Sequence, residues 1–135
     1  MNNALRLGVA GLGTVGASLL RLTQRHANEL ALRCGRPVVV TAVSARDRNR
    51  DRGVDLSGVT WFDDPVALAT SGEIDVFVEL MGGSDGIAAD SVRAALDAGR
   101  HVVTANKALP AKHGTELARR AEEKGVSLNF EAAAA

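Results

Sequence analysis

The fold is decided by the stretch GVAGLGTVG, which runs from Gly8 to Gly16. Three of its glycines, Gly11, Gly13 and Gly16, have the spacing G-x-G-x-x-G. Such a triplet arises by chance in many glycine-containing loops, and it becomes informative only where a strand leads into it and a helix leaves it. The segments on either side therefore determine what the triplet means.

Both flanking segments have the required character. Residues 5–10 form a short apolar run that is typical of a buried strand. From Thr14 to about Arg33 the pattern is helical, and the residues predicted to form its buried face are Val15, Leu19 and Leu22. The glycines thus lie between a strand and a helix, which is the context in which this triplet binds a dinucleotide. The alternative is a tight strand-to-helix turn that binds no ligand.

The rest of the chain alternates between strand and helix patterns. Further strands are predicted at 38–43, 59–62, 74–80, 101–104 and 126–130. A further helix is predicted from Pro65, capped by Asp64, to near Gly72. The next helix ends at Gly99, and its buried stripe consists of Ala88, Val92, Ala95 and Leu96. The last helix is predicted over 115–124, after a break at Pro110 and before a stop at Gly125. This order predicts an α/β fold of the Rossmann type: a doubly wound, mostly parallel sheet of about six strands with helices on both faces.

Each glycine of the triplet has its own part in holding a pyrophosphate. Gly11 permits the tight turn, Gly13 lets the backbone approach the phosphates, and Gly16 lets the helix pack closely on the strand. The helix N-terminus adds unpaired N–H groups and the positive end of the helix dipole. Thr14 is either a hydroxyl donor to the phosphates or simply a residue of the first helical turn.

The end of the second strand bears on the choice of dinucleotide. Sites for NAD usually place Asp or Glu there to accept a hydrogen bond from the ribose 2′-OH. Residues 43–46 read VSAR instead, and Arg46 can pair with the 2′-phosphate of NADP. The sequence therefore favours NADP(H), while Asp47 leaves NAD open. Three further arginines are more simply explained as part of a solvated loop: Arg48, Arg50 and Arg52.

Two more features follow strands at the same edge of the predicted sheet. Gly82 and Gly83 come after the fourth strand, where they either let the chain pass close to the ligand or form a turn with positive φ. Lys107 ends TANK after the fifth strand, where a lysine can orient a substrate or transfer a proton, or be an ordinary surface residue. Glu79 lies within the apolar fourth strand and is given no role.

Composition restricts the function classes. The 135 residues suffice for one domain, and 16 basic groups balance 16 acidic groups, so nothing indicates a nucleic-acid partner. The single Cys34 excludes an internal disulfide and favours a cytoplasmic setting. The sequence shows neither a signal peptide nor a run of about 18 apolar residues, so we expect no membrane association. No spacing of His, Cys and carboxylates predicts a metal site.

Four segments together resemble the N-terminal nucleotide-binding domain of homoserine dehydrogenase. They are GVAGLGTVG at 8–16, VELMGG at 78–83, HVVTANKALPAKHG at 101–114 and LNFEAA at 128–133. The resemblance implies NAD(P)-dependent interconversion of L-homoserine and L-aspartate 4-semialdehyde, a step of threonine and methionine biosynthesis. It also implies a role for Lys107 near the nicotinamide and the substrate, for Arg46 with NADP, and for a cofactor loop of Gly11, Gly13, Thr14, Val15 and Gly16.

The family continues past FEAA into a second domain that supplies substrate contacts, a second catalytic lysine and much of a dimer interface. We therefore expect residues 1–135 to be the NAD(P)-binding domain of a homo-oligomeric enzyme that acts on a small-molecule substrate. Alone it should bind dinucleotide but catalyse poorly, because hydride transfer needs the substrate held in reactive geometry. The alternatives are another two-domain NAD(P)-dependent reductase of amino-acid biosynthesis, such as a relative of dihydrodipicolinate or aspartate-semialdehyde reductases, and a non-catalytic dinucleotide-sensing module.

Overall fold

The first strand lies in the middle of a six-stranded parallel sheet. The structure, a computed structural model, describes residues 3–49, 51–81 and 86–130. The strands are β1 (Leu5–Ala10), β2 (Val38–Ser44), β3 (Thr60–Phe62), β4 (Val76–Glu79), β5 (His101–Thr104) and β6 (Leu128–Phe130). Their order is β3-β2-β1-β4-β5-β6, and all neighbouring pairs are parallel. The chain winds outward from β1 to β3 and then restarts beside β1 at β4, so the switch point of this doubly wound sheet lies between β1 and β4.

Helices cover both faces of the sheet. They are α1 (Thr14–Arg25), α2 (Ala27–Cys34), α3 (Pro65–Ala69), α4 (Ile87–Asp97) and α5 (Ala108–Lys124). Since strand side chains alternate between faces, β4 directs Val76 and Val78 into a core shared with Leu20 of α1. Phe77 points to the other face, into a core built with α3, α4 and α5. The predicted α/β fold with helices on both faces is therefore confirmed.

The first helix differs from its prediction in length. The prediction of a single helix to about Arg33 was wrong, because α1 ends at Arg25 and α2 begins at Ala27. The residue between them, His26, has φ −117° and ψ 31° and caps both helices. Its N–H still donates to the Leu22 carbonyl, so the chain changes direction within one residue.

The buried face of α1 also differs from its prediction. Val15 is 64% exposed and Leu22 is 46% exposed, and only Leu19 of the predicted stripe packs against the core. The residues that α1 buries are Gly16, Ala17, Leu20 and Thr23. Gly16 sets this face, because a Cβ there would lie 2.0 Å from the Gly11 carbonyl oxygen. The close contact of one glycine thus decides the rotation of the helix.

The last helix starts earlier than predicted. It begins at Ala108, not near Thr115, and runs for 17 residues. Pro110 occupies its third position, where the missing N–H costs nothing because first-turn N–H groups have no intrahelical partner. The predicted helix ends hold: Gly99 and Gly125 have φ +79° and +66°. The predicted cap holds as well, since the Asp64 carboxylate accepts from the Val66 N–H at 2.9 Å.

Candidate functional site

Gly11, the residue after β1, has a conformation and a surrounding space that both require glycine. Its φ is +103°, and a Cβ at this position would lie 2.9 Å from the backbone carbon and oxygen of Leu80. The Gly11 N–H donates to the Ser44 carbonyl at 2.8 Å. The turn after β1 is therefore held between the carboxyl ends of β2 and β4, at the switch point of the sheet.

The other two glycines of the triplet have opposite surroundings. Gly16 is in backbone contact with Gly11, which brings α1 onto the turn. At Gly13, a Cβ would meet no heavy atom within 4 Å, and the residue is exposed. The protein itself fills the space beside Gly11 and Gly16, whereas the space beside Gly13 opens outside the sheet. This division fits a loop whose middle glycine faces a phosphate group.

The N-terminus of α1 is suited to an anion. The N-cap is Gly13, which offers no side chain, and the first turn contains no acidic residue. The first intrahelical bond runs from the Ala17 N–H to the Gly13 carbonyl at 2.9 Å. The N–H groups of the first turn therefore have no carbonyl acceptor within the helix. Thr14 and Val15 are exposed at this end. Helix ends of this kind bind phosphates through N–H groups and the helix dipole.

Arg46 lies beside the glycine turn, on the side of β2. Ser44, the last residue of β2, pairs with Ala10, so β1 and β2 end at the same level and Arg46 follows two residues later. Arg46 is exposed, and its carbonyl accepts a hydrogen bond from the Arg52 guanidinium. No Asp or Glu stands between Ser44 and Arg46.

The arginine-rich loop after Arg46 is more ordered than the sequence indicates. The guanidinium groups of Arg48 and Arg52 lie over the Trp61 ring, 5.9 and 5.5 Å from its centroid. Both distances suit cation–π contacts. Arg48 and Arg52 therefore pack on β3 and concentrate positive charge near the end of β2, instead of being simply solvated. Arg50 lies outside the described residues.

On the other side of the switch point, β4 ends in a fully buried carboxylate. Glu79 pairs in register with Ala10 on one side and with Thr104 on the other. Its Oε1 accepts from the Thr104 hydroxyl at 2.6 Å, and its Oε2 accepts from the Met81 N–H at 2.6 Å. The predicted site residue Gly82, with Gly83, lies outside the described residues.

Lys107 lies at the end of β5, where the sequence places it. It is exposed and is the N-cap of α5. Its neighbour Asn106 is buried, and the Asn106 side-chain oxygen accepts from the Ala108 N–H at 3.0 Å. Arg46 and Lys107 follow strands separated by three sheet spacings, about 14 Å. They can therefore contact opposite ends of one extended ligand that passes over the glycine turn, but not the same group.

Sequence reasoning missed the polar residues at the ends of β3, β4 and β5: Trp61, Glu79, Thr104 and Asn106. A usable signal existed for Glu79, because a carboxylate at the end of an apolar strand needs hydrogen-bond partners once it is buried. Within the described ranges, His, Cys, Asp and Glu form no cluster that suits a metal ion. Among the helices in these same ranges, none has the length and apolar character needed to cross a bilayer.

The parallel doubly wound sheet and the glycine turn at its switch point define a dinucleotide-binding domain of the Rossmann type. A family model described as the homoserine dehydrogenase NAD binding domain matches residues 11–131. The chain belongs to this family, so its cofactor class is the nicotinamide dinucleotides.

Known proteins agree with this assignment over nearly the whole chain. The chain is 44% identical over 131 residues to a homoserine dehydrogenase of Pseudomonas aeruginosa, and 42% identical over 134 residues to one of Corynebacterium glutamicum. It covers 30% and 29% of those proteins, and 97% and 98% of the chain is matched. The homoserine dehydrogenase structure from Thiobacillus denitrificans superposes with a TM-score of 0.87 at 38% identity, over 97% of this chain and 30% of that one. The chain thus spans about a third of its relatives' length or less.

Proposed function

We propose that residues 1–135 form the NADP(H)-binding domain of an enzyme that interconverts L-homoserine and L-aspartate 4-semialdehyde. The family match over 11–131 supports the reaction, and the open space beside Gly13 supports dinucleotide binding. The reaction belongs to threonine and methionine biosynthesis in the cytoplasm. Because the chain spans about a third of its relatives, we assign the substrate contacts other than that of Lys107, and the homo-oligomer interface, to segments outside it.

The residues divide the work along the carboxyl edge of the sheet. Main-chain N–H groups of the loop from Gly11 to Gly16, including those of Thr14 and Val15, hold the pyrophosphate. We also assign Gly82 to the dinucleotide site. The chemistry that a bound dinucleotide would supply is hydride transfer to the aldehyde carbon, which gives the alcohol once the former carbonyl oxygen takes up a proton. We assign Lys107 to the end of the ligand at which this exchange would occur, where its Nζ orients the reacting oxygen and holds or donates that proton.

Arg46 gives the site its preference for NADP(H) over NAD(H). We assign its guanidinium to a 2′-phosphate on the adenosine ribose, and Arg48 and Arg52 on Trp61 add positive charge to the same loop. An NAD site would place a carboxylate at the end of β2, and this strand ends in Ser44. Asp47, the residue after Arg46, leaves binding of NAD(H) open.

Calorimetry on this chain with NADPH and NADH tests the proposal. Arg46→Ala should weaken NADPH binding about tenfold to a hundredfold, the equivalent of one hydrogen bond to a charged group, and leave NADH binding nearly unchanged. Arg25→Ala, at the far end of α1, is the matched control and should change neither. Equal losses for both ligands would remove Arg46 from 2′-phosphate recognition. A wild-type chain that binds neither ligand would contradict the proposed function itself.

A further inference from the structure

Glu79 is fully buried, and none of the roles assigned so far uses it. Burying a carboxylate carries a large desolvation cost unless strong hydrogen bonds compensate it. Each of its two oxygens accepts a described bond, Oε1 from the Thr104 hydroxyl at 2.6 Å and Oε2 from the Met81 N–H at 2.6 Å. The carboxylate therefore connects the end of β5 with the first residues after β4.

A second set of bonds extends this connection to both neighbours of Lys107. The Thr104 hydroxyl oxygen also accepts from the Asn106 N–H at 3.1 Å. The Asn106 side-chain oxygen in turn accepts from the N–H of Ala108, the first residue of α5. Lys107 lies between Asn106 and Ala108, so its backbone is fixed from both sides by bonds that begin at Glu79.

The position of this network indicates what it serves. In a doubly wound sheet the first half, β1 to β3, carries the phosphate loop and the residue that reads the adenosine ribose. The second half, β4 to β6, therefore receives the nicotinamide end. Glu79 and Thr104 are the last residues of β4 and β5, so they lie at the carboxyl edge of this second half. A fully satisfied buried polar network makes its surroundings rigid, which an apolar residue at position 79 would not do.

We propose that Glu79 is a positioning residue that holds Met81 directly, and the Lys107 segment through Thr104 and Asn106, in place around the nicotinamide half of the dinucleotide. This inference rests on the proposed function, because it takes NADP(H) as the ligand. It predicts a selective effect: loss of the network should weaken contacts to the nicotinamide half of the ligand and leave contacts to the adenosine half unchanged. A residue that only stabilises the fold would affect both.

The test uses two ligands that share the adenosine half: NADPH, and 2′-phospho-ADP-ribose, which lacks the nicotinamide ring. Thr104→Val keeps the side-chain shape but removes the hydroxyl that joins Glu79 to Asn106. By calorimetry this variant should bind NADPH about tenfold more weakly, the equivalent of one hydrogen bond to a charged group, and 2′-phospho-ADP-ribose with nearly unchanged affinity. Thr104→Ser restores the hydroxyl and should restore NADPH binding.

Two further variants complete the design. Thr23→Val is the matched control: Thr23 is buried too, but its hydroxyl donates to the Leu20 carbonyl within α1, so the ratio of the two affinities should not change. Glu79→Gln offers one acceptor oxygen in place of two and should reproduce the selective loss of NADPH binding, even if Thr104→Val proves too unstable to fold. Equal weakening of both ligands, or no change in either, would overturn the positioning role. A wild-type chain that binds neither ligand would instead overturn the proposed function.

Discussion

The two halves of the carboxyl edge of the sheet, where the proposed ligand binds, are built in opposite ways. At the β1 end, Gly11 and Gly16 allow backbone segments to meet, and Gly13 leaves space that a ligand can enter. At the β4 and β5 ends, the buried side chains of Glu79 and Thr104 form the edge through hydrogen bonds. The β1 half therefore depends on glycines, which have no side chain, and the β4 and β5 half depends on hydrogen bonds between side chains.

This difference fits the proposed function, in which the first half holds a pyrophosphate and the second half holds a nicotinamide ring. A pyrophosphate is bound well by several main-chain N–H groups at a helix end, so its site needs close backbone approach more than particular side chains. A ring that exchanges a hydride needs neighbouring groups at fixed positions, because small displacements of reacting groups cost much of the rate. Substitutions in the first half should therefore act through steric contact, and those in the second through lost hydrogen bonds.

The largest effect is expected at Gly16. In Gly16→Ala the new Cβ would lie 2.0 Å from the Gly11 carbonyl oxygen, so α1 has to move away from the turn. We expect the free energy of unfolding to fall by about 3 kcal/mol, the upper range for overpacking, and dinucleotide binding to be lost. Urea denaturation and calorimetry measure the two effects.

Gly114→Ala in α5 is the control for Gly16→Ala. Its Cβ would lie 3.8 Å from the Pro110 Cβ, an ordinary contact. The gain in helix propensity should therefore stabilise the protein by about 0.5–1 kcal/mol. If Gly16→Ala were as stable as the wild type and still bound NADPH, close helix packing would not be what the third glycine provides.

An intermediate effect is expected at Gly13, and it should separate binding from stability. In Gly13→Ala the new Cβ meets nothing beyond its chain neighbours within 4 Å, so the free energy of unfolding should fall only by about 0.5–1 kcal/mol, because alanine is a poorer N-cap than glycine. The methyl group would occupy the space assigned to the pyrophosphate, and NADPH binding should weaken by about tenfold or more.

Gly72→Ala is the control for Gly13→Ala, because its Cβ is equally uncrowded but lies before β4, at the opposite edge of the sheet. Calorimetry should find its NADPH affinity unchanged. Unchanged NADPH affinity in Gly13→Ala itself would mean that the ligand does not approach the backbone at this glycine.

The same contrast explains how far the sequence predicts the molecule. Strand and helix patterns around the glycine triplet predicted the sheet, and the rule that parallel strands end at one edge placed Arg46 and Lys107 there. The buried face of α1 was predicted wrongly, because periodicity does not register a 2.0 Å backbone contact at Gly16. The Glu79 network was not predicted, because its partner Thr104 is 25 residues away and only the folded sheet brings the two together.

The outer side of the β4 and β5 half is also held by charge, through ion pairs between α4 and α5. The Arg93 guanidinium donates to both Glu116 carboxylate oxygens, at 2.7 and 3.1 Å, and Arg120 donates to Glu116 at 2.9 Å. These bonds, first of all those from Arg93, lower the pKa of Glu116 from 4.5 to about 2. The stability of this half should therefore depend on pH.

The smallest effect is expected from Glu116→Gln. Because the folded state lowers the pKa of Glu116, the stabilisation is complete above about pH 4.5 and is lost as the pH falls toward 2. The Glu116 side chain is 39% exposed, so solvent screening limits the loss in Glu116→Gln at pH 7 to about 0.5–1 kcal/mol. Urea denaturation at a series of pH values should show the wild type and the variant converging below pH 4.5. Glu123→Gln is the control, because Glu123 is an exposed position on α5 without an ion pair to any described residue, and it should show no such convergence. If the difference in free energy of unfolding between the wild type and Glu116→Gln stayed constant with pH, Glu116 would stabilise the helix pair by packing and not by charge.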